Sequence, residues 1–159
     1  HWGVIDCQDV ATPAYHRTHS GYAIAAFHEA LRITLQHGRA QKARDYAFHE
    51  AALRDAVIAM GCTVTSNMTS LVVLNLPANL AGREKELVQK ARAKGFGIWP
   101  TLSEPVQVRI GILNQLSAAA ITDITRRFAA GMMELGADID MTKVLAGLSR
   151  HYATAVAAE

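Results

Sequence analysis

The stretch Val106-Gln-Val-Arg-Ile-Gly111 says most about how this chain folds. Apolar and polar residues alternate in it, and successive side chains of a β-strand point to opposite faces of a sheet. The alternation predicts a strand that buries Val106, Val108 and Ile110. The opposite face of that strand carries Gln107 and Arg109.

The sequence on either side of this stretch contains further strands and several helices. Short β-branched or apolar runs predict strands over 62–65, 71–76 and 96–99, and Pro100 separates the last of these from the strand 106–110. Apolar residues spaced three or four apart predict helices over 20–38, 41–60, 82–94, 117–135 and 141–157. We therefore expect an α+β fold, with a small, mostly antiparallel sheet and helices packed on one face.

Composition restricts the class of protein. The 159 residues are 50% hydrophobic and 19% charged, which fits one globular domain that closes its own core. The net charge of +2 comes from dispersed Lys and Arg, so we expect no nucleic-acid partner. No apolar run approaches the roughly 20 residues that span a bilayer, and no basic-then-apolar leader is present, so the sequence predicts a cytoplasmic protein without a membrane partner. Cys7 and Cys62 have no nearby cysteine, which favours a reducing compartment.

Arg109 is the most informative single residue. A guanidinium fixed at a strand end can bind a carboxylate through two parallel hydrogen bonds. The alternative from the local pattern is a solvent-facing arginine on an edge strand, since exposed arginine is common.

A second candidate site is Tyr15-His16-Arg17-Thr18, just before the first predicted helix. The hydroxyls of Tyr15 and Thr18 could donate hydrogen bonds to phosphate oxygens near a helix start. Alternatively, Thr18 or Ser20 is a simple helix N-cap. His16 and His19 have no carboxylate or cysteine at ligand spacing beside them, so we expect no metal site. The sequence also has no Gly-x-Ser-x-Gly elbow and no glycine-rich phosphate loop.

These elements together resemble a known enzyme family. The first element is Tyr15-His16-Arg17-Thr18, followed by YAIAAFHEAL (22–31) and Gly38. The second is FHEAAL (48–53) with Met60-Gly61-Cys62. The third is Arg109-Ile110-Gly111, which precedes a helix from Ser117. The order and spacing are similar to the carboxy-terminal third to half of class V, fold-type-I aminotransferases. That group includes alanine–glyoxylate, serine–pyruvate and pyridoxamine–pyruvate aminotransferases, and the resemblance covers nearly the whole chain.

The resemblance implies a role for each candidate residue. Arg109 would bind the α-carboxylate of a small amino or 2-oxo acid substrate, such as alanine, serine, glyoxylate or pyruvate. Tyr15 and Thr18 would reach the pyridoxal 5'-phosphate of the neighbouring subunit in a homodimer. Residues 1–19 would then be an extended interface segment, and 20–159 the aminotransferase carboxy-terminal small domain.

The sequence also departs from the family pattern. Arg17 replaces a histidine, His19-Ser20 stands where a proline is usual, and Asn114 occupies a common glycine position. In the family, the lysine that bonds the cofactor belongs to the large domain, upstream of the matched region. We therefore expect no catalytic residue in this chain. We expect its partner to be a large domain that binds pyridoxal phosphate (PLP), in the same or a separate polypeptide. Two rival hypotheses remain: a stand-alone, non-catalytic α+β module that binds a small carboxylate, and a structural dimerisation domain.

Overall fold

The computed structural model describes residues 21–66, 68–102, 104–112 and 116–156, the last three by their backbone alone. The helices are α1 (Gly21–His37), α2 (Arg39–Ala59), α3 (Glu84–Ala93), α4 (Ala118–Met133) and α5 (Met141–Val156). The strands are β1 (Thr63–Val64), β2 (Leu71–Asn75), β3 (Trp99–Pro100) and β4 (Val108–Gly111). None of the helices described here is long and apolar enough to cross a membrane.

The chain divides into two compact units between Arg39 and Ala40. The described part of the first unit is essentially α1, which buries none of its residues and exposes the apolar face predicted from the sequence, including Phe27 and Leu35. The predicted extended segment 1–19 lies outside the described residues, so the predicted domain boundary stays a prediction.

The second unit contains one antiparallel sheet of four strands in the order β1-β2-β4-β3. β2 and β4 form its centre, with Val73 opposite Arg109 and Val72 opposite Ile110. β4 pairs on its other side with β3, where Trp99 lies opposite Arg109. Strand β4 therefore has a hydrogen-bonded neighbour on each side.

One face of the sheet is sealed by helices. Val72, Leu74, Val108 and Ile110 are fully buried and belong to a single core cluster. The helices contribute Leu53 and Val57 of α2, Leu87 of α3, Phe128 and Met132 of α4, and Val144 and Leu148 of α5. The predicted fold class is therefore confirmed, with helices on one face of a small antiparallel sheet.

The third strand differs from its prediction. The sequence predicts a strand over 96–99 that ends before Pro100, whereas β3 consists of Trp99 and Pro100. Because β3 lies at the edge of the sheet, the missing N–H of a proline leaves no gap in the central ladder. The start of β4 also moves, from the predicted Val106 to Val108.

The C-terminal end of α2 follows the prediction. Gly61 has a φ of 87°, a left-handed conformation that costs other residues about 1–2 kcal/mol. Its N–H donates to the Ile58 carbonyl at 2.9 Å, and the Cys62 N–H donates to that of Val57 at 3.1 Å. These two bonds close the helix and direct the chain into β1.

An aromatic cluster connects α5 to α2. The Nδ1 of His49 lies 3.2 Å from the Tyr152 hydroxyl, and the Phe48 ring meets those of Tyr152 and His151 edge-on. Burial lowers the pKa of His49, against smaller opposing effects of the Asp45 charge and a backbone hydrogen bond at Leu116. His49 thus lies between α2 and α5.

Replacing Phe128 by alanine should lower the free energy of unfolding by about 3–5 kcal/mol, because the ring is fully buried and its loss leaves a cavity. Urea denaturation followed by circular dichroism measures the change. The matched control is Phe27→Ala on α1, where the ring is 66% exposed and the expected change is within about 0.5 kcal/mol. Equal effects at the two positions would contradict this placement of the core.

The lowered pKa of His49 makes stability depend on pH. As pH falls, His49 takes up a proton in the unfolded chain before it does so in the folded chain. The contribution of neutral His49 to stability is therefore complete above about pH 6.5, and it is lost as pH falls toward the lower pKa of the folded state. Glu29, Glu86 and Glu134 also have lowered pKa values, but starting from 4.5, so they act in a more acidic range. His49→Gln should reduce the slope of unfolding free energy between about pH 7 and pH 5, measured by urea titration at several pH values. An unchanged slope would count against a partly buried imidazole at this position.

Candidate functional site

The open face of the sheet carries the predicted substrate-binding residue. Arg109 occupies the middle of β4 between buried Val108 and Ile110, so its side chain leaves the sheet opposite the helices. Its register partners Val73 and Trp99 share that face. The arginine is half-buried, and its strand is central. The alternative of an arginine on an edge strand is therefore wrong.

Only part of the Arg109 guanidinium is satisfied by the protein. Nη2 donates to the Pro100 carbonyl oxygen at 3.1 Å. Nε is buried without a hydrogen-bond partner. Within the described part of the chain, no carboxylate pairs with this charge. A buried, unpaired N–H costs about 1–3 kcal/mol, so an acceptor that the described residues do not supply would stabilise this group.

Trp99 is a component of this face that sequence reasoning missed. The indole is 50% exposed beside Arg109, and it lies over Gly97, where a Cβ would be 3.4 Å from its Cη2 atom. Its position opposite Arg109 follows from the pairing of β3 with β4, which no local sequence signal shows. Trp99 is the β3 residue paired with Arg109, so it places an aromatic residue next to this arginine on the open face.

Arg54, in the same unit, is an arginine whose charge is paired with a carboxylate. Arg54 on α2 donates to Glu50 Oε1 at 2.5 Å through Nη2 and at 2.9 Å through Nε. Nη2 also donates to the Ser66 carbonyl oxygen at 2.7 Å, just before the β1–β2 turn. The Ser66 hydroxyl in turn accepts a hydrogen bond from the Val73 N–H at 2.9 Å. This arginine links α2 to the strand that pairs with β4.

The other predicted site residues do not meet Arg109 in the described structure. Tyr15 and Thr18 lie outside the described residues, as do His16 and His19. Each of the five lysines is in a helix or a helix cap, namely Lys42, Lys85, Lys90, Lys94 and Lys143. Among the described residues, no group of three or more His, Cys, Asp or Glu side chains could hold a metal ion.

Two grooves mark the surface elsewhere. One of about 730 Å³ is lined by Ile58 of α2 and by Gly147 and Arg150 of α5. Another of about 500 Å³ opens beside Asn75 at the end of β2. Arg109 lines neither groove. The open face around Arg109 is therefore separate from both grooves.

Comparison with known proteins identifies the fold. No protein-family model and no curated protein matches the sequence. Among solved structures, the chain is similar to ureidoglycine-glyoxylate aminotransferase from Bacillus subtilis, with a TM-score of 0.77 at 21% sequence identity. The fold is that of an aminotransferase domain.

The extent of the match is as informative as its quality. It covers 86% of this chain but only 37% of the Bacillus chain, so this chain spans little more than a third of that aminotransferase. At 21% identity the similarity shows the fold alone. The expected resemblance to an aminotransferase carboxy-terminal domain is confirmed at that level.

The partly unsatisfied guanidinium predicts an unusual stability effect. Arg109→Met should change the free energy of unfolding by no more than about 1 kcal/mol, since losing the bond to Pro100 is offset by removing a buried, unpaired N–H. Arg54→Met is the matched control and should cost about 2–4 kcal/mol, because it leaves the buried Glu50 carboxylate without its partner. Chemical denaturation measures both. A larger loss at Arg109 than at Arg54 would show that Arg109 is structural.

Proposed function

We propose that this chain is the carboxy-terminal small domain of a class V, PLP-dependent aminotransferase, and that Arg109 binds the carboxylate of its substrate. The substrate class is a small amino donor, such as alanine or serine, with glyoxylate or pyruvate as the 2-oxo acid acceptor. One observation carries the proposal: a guanidinium held half-buried on a central strand, with a buried Nε that has no partner in the described chain.

A carboxylate is the ligand that best satisfies this arginine. Planar guanidinium and carboxylate groups match each other through two parallel N–H···O bonds, stronger than bonds between neutral groups. Nη2 is held by Pro100, which limits rotation of the fork, and Nε has no partner among the described residues. Because β4 is paired on both sides, the strand itself does not have to rearrange to receive the ligand.

The residues of this chain fit the substrate rather than the covalent attachment of the cofactor. When bound, pyridoxal phosphate supplies the electron sink that lets an amino group pass between two carbon skeletons. The lysines of this chain lie on helices, and Lys90 and Lys94 pair with Glu134. The lysine of the site would come from a large domain in the same or a separate polypeptide, and Tyr15 and Thr18 would bind the cofactor phosphate across a homodimer interface, as the sequence resemblance implies.

Arg109 would contribute position and charge. Fixing the carboxylate at one point on the sheet orients the α-carbon, and the positive charge offsets the substrate's negative charge in a partly desolvated place. Trp99 and Val73 are paired with Arg109 on the two neighbouring strands, so their apolar side chains would reduce the amount of water on that face. These are functions of binding and orientation, which the domain can perform for any 2-oxo or amino acid of suitable size.

Titration calorimetry with glyoxylate and pyruvate tests the binding step on the 159-residue chain. The wild type should bind both saturably, and Arg109→Ala should weaken binding by at least about ten-fold, since hydrogen bonds to charged groups contribute about 1.5–3 kcal/mol. Arg109→Lys keeps the charge but not the fork, so its affinity should fall between the two. The matched control is Arg126→Ala, which removes an exposed guanidinium from α4 and should leave binding unchanged.

A second measurement tests the aminotransferase assignment. The chain is mixed with a lysine-bearing large domain loaded with pyridoxal phosphate, and the cofactor absorption band is followed on adding alanine or serine. A response that Arg109→Ala abolishes supports the proposal. Carboxylate binding by the isolated chain without any cofactor response would instead support the stand-alone binding module. Identical binding in the wild type and the Arg109 variants would overturn the carboxylate role.

A further inference from the structure

The open face of β4 carries a second polar group beside Arg109. Gln107 lies two residues before Arg109, just ahead of the start of β4, and alternation along an extended chain puts it on the same face, with its Cα about 6.6 Å away by strand geometry. Asn75 of β2 and Thr65, just after β1, reach toward it from the neighbouring chain segments. These three side chains are neutral, in contrast to the guanidinium.

Hydrogen bonds fix the orientation of the Gln107 amide. The Thr65 hydroxyl donates to the Val73 carbonyl oxygen at 3.3 Å, so its oxygen can only accept from Gln107. Nε2 of Gln107 donates to that oxygen at 3.0 Å and to Asn75 Oδ1 at 2.9 Å. Both N–H groups of the Gln107 amide are therefore used, and its oxygen faces away from these two partners.

The same bonds leave one acceptor and one donor over. Gln107 Oε1 and Asn75 Nδ2 have no partner in the part of the chain that the structure describes. Neither atom is sealed from solvent. Val73, half-buried and opposite Arg109, gives an apolar surface for a short carbon chain.

We propose that Gln107 and Asn75 form a second recognition point, which selects substrates whose side chain ends in a hydroxyl or carboxamide group. This inference rests on the proposed function, because Arg109 must hold the carboxylate for the other end of the substrate to be compared. The acceptor of Gln107 and the donor of Asn75 together match a ligand group that both donates and accepts.

A methyl group in the same place is disfavoured. It would cover Oε1 and Nδ2 without replacing their hydrogen bonds to water, and sites built to bind a polar group discriminate against analogues that lack it. Arg109 attracts every small carboxylate equally, so it supplies affinity without selection. Gln107 and Asn75, which are neutral, then discriminate among such acids.

Two matched pairs of 2-oxo acids test the proposal on the 159-residue chain. Hydroxypyruvate is compared with pyruvate, and 2-oxosuccinamate with its isostere 4-methyl-2-oxopentanoate, by titration calorimetry. The wild type should prefer the polar member of at least one pair by about ten-fold, and the pair that shows it distinguishes a hydroxyl from a carboxamide. Gln107→Met, similar in volume but without an amide oxygen, should bring that preference to about one-fold.

A second variant and a spectroscopic signal guard against a purely structural effect of Gln107. Asn75→Asp keeps the acceptor for Gln107 but removes the Nδ2 donor, so it should abolish the preference even though its charge weakens all four ligands. The side-chain amide resonances of Gln107 and Asn75 should shift with the preferred acid and not with its apolar partner. Circular dichroism melting curves check that both variants fold.

The outcomes separate this inference from the proposed function. A wild-type preference that survives in both variants, or no preference at all, overturns the recognition point, while weakening of every acid by Arg109→Lys still supports the carboxylate role. Loss of preference in both variants with unchanged melting supports the recognition point. If no acid binds and the Arg109 variants behave as the wild type does, the proposed function fails and this inference fails with it.

Discussion

The structure depends on the two-residue repeat of strand β4. Val108 and Ile110 must face the helices, because both are fully buried in the core. That requirement places Arg109 on the opposite face, and pairing with β2 and β3 holds it there. A slip of one residue would move the guanidinium into an apolar core and the two apolar side chains out of it, so burial itself fixes the register. The free energy that folds the domain also positions its cation.

Two arginines of this unit illustrate how stability and function differ. Arg54 is held by Glu50 and by the Ser66 carbonyl oxygen, and this set of bonds joins α2 to the β1–β2 turn. Arg109 has one bond to Pro100 and a buried Nε without a partner. Folding alone gives no reason to keep the second arrangement, since an apolar side chain of similar length would remove the unpaired group. A ligand that supplies the missing acceptor gives such a reason.

The sequence predicted much of this fold because its periodicities are clear. Alternation in 106–110 correctly separated the buried face of β4 from the open one, and the inward positions Leu87, Val88 and Ala91 of α3 are all buried. The limits of β3 were wrong, since the prediction treated Pro100 as a stop and could not know that the strand lies at an edge. Local pattern also could not show that β4 is central. Strand order depends on contacts between residues distant in sequence, such as Val73 with Arg109.

The candidate site was predictable in part for the same reason. An arginine in a strand just before a glycine could be recognised from the sequence. The position of Trp99 opposite Arg109 and the hydrogen bonds among Thr65, Gln107 and Asn75 form only when the strands pair. The charged and the neutral residues also differ in the distance over which they act. The charge of Arg109 acts over several ångströms, so its attraction for an anion tolerates small errors in placement. Neutral donors and acceptors act only at hydrogen-bond distance, so a selective role for them requires the rigid, paired strands on which they stand.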